Sequence, residues 1–69
     1  MKHYNLMPIE GDWFDNQQII DKCGSLFPFI TNEKNAISYA KSVKKQFPNI
    51  TFQLTEGSTF GNQTLVKEF

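Results

Sequence analysis

The clearest hydrophobic pattern in the chain lies in residues 32–47. Apolar residues recur there at spacings of three and four, at Ala36 or Ile37, Ala40, Val43 and Phe47. This spacing is typical of the buried face of an amphipathic helix. Thr31 or Asn32 can cap the first turn, and Pro48 cannot continue the helix. The pattern predicts a helix over residues 33–46.

Strict alternation follows this helix. Apolar and polar positions alternate in the order Ile50, Thr51, Phe52, Gln53, Leu54 and Thr55, which is typical of a half-buried strand. Residues 56–63 contain two glycines and predict a long hairpin loop. Residues 64–69 are then the returning strand, in which Leu65 and Phe69 are expected to share one face.

The first thirty residues are less regular. Residues 3–9 predict a strand whose end Pro8 helps to set. The segment Gln17–Lys22 is either a short strand or one helical turn, and two adjacent isoleucines favour the strand. Residues 23–25 are predicted as a turn, and the apolar run 26–30 contains a proline that keeps it from being a central strand.

These elements predict a single α+β domain spanning residues 1–69. Its expected architecture is a small antiparallel sheet of three to four strands packed against one helix, in the order β-(β)-α-β-β. A composition with seven phenylalanines is one way in which so short a chain can still close a core, because aromatic side chains can bury a large area per residue.

Composition narrows the function. Seven lysines balance seven acids and arginine is absent, so no strong overall field favours nucleic acid. The single cysteine, Cys23, can form neither an internal disulfide nor a usual zinc site, and residues 1–5 contain no secretory pattern. We expect a cytoplasmic protein without metal or cofactor.

Catalytic groups are sparse. His3 is the only histidine, Cys23 is expected to be a small hydrophobic side chain, and no two acids have the spacing of a paired active site. We therefore expect no enzymatic activity.

Lysines of the predicted helix are the nearest feature to a basic patch. They are Lys34, Lys41, Lys44 and Lys45. Phosphate contact is one interpretation of this group. A solvated helix face whose last turns complement the helix dipole explains the same residues without a partner.

An aromatic pair in an acidic loop is the most distinctive segment. Trp13 and Phe14 lie between Asp12 and Asp15. Such a pair can be an anchor for a protein partner, because aromatic residues dominate interface hot spots. Alternatively, Trp13 folds back over a core that a short chain cannot otherwise close. The same two interpretations apply to Phe60 in the predicted hairpin loop.

Residues 32–56 combine a capped helix, a Pro-Asn stop and a strand. This arrangement resembles short accessory proteins of bacteriophages and other mobile elements, and the Asn-, Lys-, Ile- and Phe-rich composition without arginine is similar to that of AT-rich genomes. The resemblance implies a protein that binds and blocks a host nuclease, polymerase or defence component in the host cytoplasm. It implies no particular functional residue.

Three functional hypotheses follow. The first is a protein-binding accessory or inhibitor module that uses Asp12, Trp13, Phe14, Asp15 and Phe60, and that can also form a homodimer through a sheet edge. The second is a nucleic-acid-binding module using the helix lysines and sheet aromatics such as Tyr4 and Phe52. The third is a dimer that sequesters a small molecule at its two-fold interface.

Overall fold

The computed structural model describes residues 3–57 and 62–69. Its elements are β1 (His3–Glu10), α1 (Gln17–Lys22), β2 (Gly24–Ser25), α2 (Glu33–Gln46), β3 (Thr51–Gly57) and β4 (Thr64–Glu68). The strands form one antiparallel sheet in the order β2-β1-β3-β4. The predicted α+β class, with a small antiparallel sheet and one main helix, is confirmed.

Helix α2 has the bounds that its periodicity predicts. Asn32 is its N-cap, and the Asn32 side-chain oxygen accepts the backbone N–H of Asn35 at 2.9 Å. Ala36, Ala40 and Val43 are buried against β1 and β3. The small side chains let the helix backbone lie close to the sheet, which brings the two layers into contact over a short chain.

The core lies between α2 and the central strand pair. Alternate residues of β1 and β3 point toward the helix, so that Tyr4, Leu6, Phe52 and Leu54 are buried almost completely. Ile19, Leu26 and Ile50 close the ends of the same cluster. Because Ile19 belongs to this cluster, α1 lies on the same side of the sheet as α2.

Strand β1 runs past Pro8 to Glu10, so the expectation that Pro8 sets its end is corrected. The Leu26 N–H donates to the Tyr4 carbonyl at 2.8 Å, which shows that Tyr4 directs its backbone groups away from β3. By alternation, Pro8 directs its nitrogen to the same side. Its missing N–H therefore costs no hydrogen bond to β3, and β1 bulges only after it.

The segment Gln17–Lys22 is a helix, so the strand prediction for it was wrong. The Asn16 side chain accepts the N–H groups of Gln18 and Ile19 at 3.0 and 3.4 Å and so caps the first turn. Helical geometry also explains the adjacent isoleucines, because it turns Ile19 into the core and leaves Ile20 40% exposed. A strong cap outweighed the β-propensity of two isoleucines.

Two further expectations change. Residues 24–25 are not only a turn, because they pair with Asn5 and Leu6 as β2. Leu65 and Phe69 do not share a face, because a bulge in β4 shifts the register between them. Leu65 is paired with Thr55 and is half-exposed, whereas Phe69 exchanges backbone hydrogen bonds with Phe52 and packs on the core.

Burial of Tyr4 generates a testable pH dependence. Desolvation raises the pKa of the Tyr4 hydroxyl above its ordinary value, and the charge and hydrogen bond of Glu56 raise it further. The folded state therefore favours neutral tyrosine, whereas the unfolded chain ionises near about pH 10. We expect the contribution of Tyr4 to the free energy of unfolding to be constant below that pH and to fall above it.

The measurement is urea unfolding at several alkaline pH values for the wild type and Tyr4→Phe. The variant should lose a smaller part of its stability above about pH 10. Some dependence should persist, because burial also raises the pKa values of Tyr39 and of the Cys23 thiol. An identical alkaline slope in the two proteins would contradict the assignment to Tyr4.

Candidate protein-binding site

The aromatic-acidic loop, residues 11–16, begins at a glycine that no other residue can replace without strain. Gly11 has φ +108°, a conformation that L side chains rarely adopt. A Cβ at this position would lie 2.7 Å from Ile50 Cδ1 and 2.9 Å from the Asn49 carbonyl oxygen. The first residue of the loop, directly after β1, therefore lies in close contact with the residues that precede β3.

Hydrogen bonds hold the rest of this loop. The Trp13 N–H donates to the Gly11 carbonyl, and the Asn16 N–H donates to the Trp13 carbonyl, each at 3.1 Å. Asn16 in turn caps α1. The loop is thus tied at both ends, and the side chains that it carries are presented in a defined arrangement.

Trp13 and Phe14 differ in their exposure to solvent. Trp13 is half-buried and packs on the core, while Phe14 is 71% exposed. Their rings stack with centroids 4.3 Å apart and planes inclined by 27°. Trp13 therefore has the core contact that one interpretation expected, and it also supports a neighbouring aromatic ring that projects into solvent.

The acidic residues of this loop lie at the surface. Asp12 and Asp15 are exposed, and within residues 3–57 and 62–69 neither forms an ion pair or a side-chain hydrogen bond. Together with Phe14 and Asn16 they line an open depression. The structure thus places Asp12, Phe14 and Asp15 on one surface depression.

An apolar groove lies beside Trp13, at the edge of β1 beyond the end of β2. We call it the Trp13 groove; it has a volume of about 350 Å³ and is lined by Leu6, Met7, Pro8, Trp13, Ile20 and Cys23. Met7 is 54% exposed and Ile20 is 40% exposed. This groove could not be predicted from the sequence, because its residues come from separate elements of the fold.

A hydrogen bond from α2 holds the end of α1 that lines the groove. The Tyr39 hydroxyl donates to the Lys22 carbonyl at 2.9 Å and ties the last turn of α1 to the main helix. This bond connects two residues that are 17 positions apart in the sequence. Ile20 and Cys23, on either side of Lys22, are positioned by it.

Cys23 contributes to the groove as an apolar side chain. Burial raises the pKa of its thiol, so the reactive thiolate is disfavoured at neutral pH. The thiol is half-buried beside Trp13 and Ile20. This environment agrees with the expectation of a small hydrophobic residue.

Phe29 is another exposed phenylalanine, and it lies in the loop between β2 and α2. It is 92% exposed and was not singled out from the sequence. The feature of the sequence that could have indicated its exposure is the apolar run 26–30. A domain this small cannot bury every side chain of such a run in a loop. Phe60, a predicted partner contact, lies outside the described residues.

The predicted helix lysines do not act as one group. Lys34, Lys41 and Lys45 are exposed and, at spacings of seven and four, lie along one stripe of α2. Lys44 is half-buried, and its Nζ donates to the Ile50 carbonyl at 2.7 Å. Lys44 thus joins the end of α2 to the start of β3, and the other three lysines lie on the solvent-facing side of the helix.

Other kinds of site are not found in the described part of the chain. No three His, Cys, Asp or Glu side chains among residues 3–57 and 62–69 converge as metal ligands. Within the same residues, neither helix has the length and apolar run that crossing a bilayer requires.

Comparison of the chain with protein-family models, curated proteins and solved structures finds no significant match. The likeness of residues 32–56 to bacteriophage accessory proteins therefore stays a prediction.

The different surroundings of Trp13 and Phe14 predict different effects on stability. Trp13→Ala removes a half-buried ring from the core edge and should lower the free energy of unfolding by about 2 kcal/mol, less than a fully buried tryptophan costs. Phe14→Ser changes an exposed position and should stay within about 0.5 kcal/mol of the wild type. Urea unfolding followed by circular dichroism measures both. Equal losses in the two variants would show that Phe14 also supports the core.

Proposed function

We propose that this protein is a protein-binding accessory module that acts by docking its aromatic-acidic loop onto another protein. The observation that carries the proposal is the exposure of Phe14. Its ring is 71% exposed and stacks on Trp13, and hydrogen bonds hold the loop on both sides of it. An exposed phenylalanine is unfavourable in water, and burying it in a partner pocket recovers that cost.

Preorganisation of the loop favours tight binding. A loop that must be ordered on binding loses affinity, because ordering each side chain costs conformational entropy. Gly11 and Asn16 already fix the loop that carries Phe14. Most of the free energy gained by burying the ring is therefore available for affinity.

The neighbouring Trp13 groove extends the surface. Phe14 can enter a pocket on the partner while a partner side chain enters the groove, so that each surface supplies one projection and one depression. Paired contacts of this kind are typical of interface hot spots. Exposed Asp12 and Asp15 would form the polar rim.

The biological role included in the proposal is inhibition of a host protein by a phage-encoded module in the host cytoplasm. Its support is the likeness of residues 32–56 to bacteriophage accessory proteins and the sparseness of catalytic groups in the sequence. A nuclease, polymerase or defence component is the class of target that this likeness implies.

The test begins with capture of the partner from a lysate of the host cell. The complex is then reconstituted from purified components, and its Kd is measured by calorimetry. We expect Phe14→Ser to weaken binding by at least about tenfold, as truncation of a hot-spot aromatic does. Nuclease treatment of the lysate should leave the captured protein unchanged.

Phe29→Ser is the matched control, because it removes another highly exposed phenylalanine from a different loop. Its Kd should equal that of the wild type. If Phe14→Ser binds the purified partner as tightly as the wild type, the aromatic-acidic loop is not the binding site. If no protein is captured by the wild type, the proposed function fails.

A second candidate function is nucleic-acid binding through α2. The specific observation is that Lys34, Lys41 and Lys45 share one exposed stripe, and that no acid occurs between residues 34 and 55. A stripe of cations along a helix can follow a row of phosphates. Tyr4 and Phe52, the sheet aromatics expected to take part, are buried almost completely, so the lysine stripe is the feature that supports this function.

Salt dependence tests this second function. If the lysine stripe binds duplex DNA, affinity measured by fluorescence anisotropy should fall steeply between about 50 and 200 mM salt. The triple variant Lys34→Gln, Lys41→Gln, Lys45→Gln should reduce the salt slope by about three, one for each lysine that neutralises a phosphate. Lys67→Gln is the control on β4. Affinity that does not change with salt would contradict this function.

A further inference from the structure

We infer that the Trp13 groove receives an apolar side chain from a partner segment that also carries lysine or arginine. This inference rests on the proposed protein-binding function and adds the chemistry of the partner. The occupant is a short basic segment with an apolar anchor.

The lining of the groove determines the anchor. Met7, Ile20 and Trp13 are among the apolar residues that line the groove, and the half-buried Cys23 thiol adds no charge because burial raises its pKa. A polar side chain placed there would lose its hydration without gaining a hydrogen-bond partner. An apolar side chain would instead release water from both surfaces.

The backbone beside the groove excludes an added strand. On this edge of β1 the Leu6 position is paired with Gly24 of β2, and the next residue facing outward is Pro8, which has no N–H. A strand added beyond Gly24 would find no donor at Pro8. The partner therefore contacts the groove through a side chain and not through a new β-ladder.

Charge around the groove determines the rest of the segment. The residues of 3–32 that carry formal charge are four acids, Glu10, Asp12, Asp15 and Asp21, and one lysine, Lys22, which gives a net charge of −3. Asp12 and Asp21 are the chain neighbours of Trp13 and Ile20, which line the groove, and Lys22 is the chain neighbour of Cys23, so two acids and one lysine adjoin the lining residues. A basic segment complements this surface, and its charge would also accelerate encounter.

The chain itself does not supply such a segment on its helix. The stripe of Lys34, Lys41 and Lys45 contains Ser38 between its charges and has no apolar side chain to enter the groove. A second copy bound through this stripe would satisfy the charge but leave the groove empty. A different protein, with both features in one segment, fits the surface better.

The test uses the full-length protein and synthetic peptides of about 12 residues, a length typical of groove-binding segments. One peptide contains leucines spaced by four with lysines between them. A second replaces the lysines by glutamates, and a third keeps the lysines but replaces the leucines by serines. Trp13 is the only tryptophan, so its fluorescence reports directly on the groove.

We expect the lysine-leucine peptide to change the Trp13 emission and to bind at least about tenfold more tightly than either other peptide. Its affinity should fall as salt is raised, because the rim charges are exposed. Ile20→Ser should weaken it by about tenfold, because the variant removes apolar surface from the groove wall. The double variant Asp12→Asn, Asp21→Asn should abolish the preference for lysine over glutamate.

Controls and contrary outcomes separate this inference from the proposed function. Glu68→Gln removes an exposed acid from β4 and should change nothing, and amide NMR spectra of each variant show whether it is folded. If the glutamate-leucine peptide binds as tightly as the lysine-leucine peptide, the inferred charge of the partner is wrong. If the serine peptide binds equally well, the groove is not used.

A lack of Trp13 response to any peptide up to about 1 mM also overturns the inference, since that limit corresponds to only about 4 kcal/mol of binding free energy. The proposed function is decided separately, by the effect of Phe14→Ser on the captured partner. Self-association of the wild type in sedimentation experiments would favour a second copy as occupant and would also overturn the inference.

Discussion

Contact between α2 and the β1–β3 strand pair is the interaction on which the rest of the structure depends. A chain of 69 residues has little area to bury, and Tyr4, Leu6, Phe52 and Leu54 supply the large side chains that meet the small residues of the helix. The outer strands add little to this core: β2 has two residues and β4 is bulged. Loop 11–16 and α1 are then attached to the end of the core through Gly11 and Ile19.

The sequence was sufficient where one periodicity extended over many residues. Helix α2 and the alternation of β3 were predicted because each continues long enough for burial to decide the structure. Prediction was wrong where a single residue decided it. Asn16 made α1 a helix, and the bulge at Val66 reversed the relation between Leu65 and Phe69, which alternation alone cannot reveal.

The candidate site was predictable to the same extent. Asp12, Phe14 and Asp15 lie within four consecutive positions, so their proximity could be predicted from their order in the sequence. The groove beside Trp13 could not, because it requires β1, α1 and β2 to meet at one sheet edge. Lys44 is an example of the opposite kind, a predicted site residue with a structural role. Its position in the sequence suggested a free charge, whereas in the fold its ammonium group donates to the Ile50 carbonyl.

The position of Pro8 also has a consequence for self-assembly. Uncovered strand edges are the sites at which folded sheets recruit one another into fibrils, and an apolar surface beside such an edge increases that risk. Here the residue at the uncovered edge cannot donate a hydrogen bond, and a bulge follows it directly. The same proline therefore allows an apolar groove to stay open at a sheet edge while lowering the tendency of that edge to nucleate aggregates.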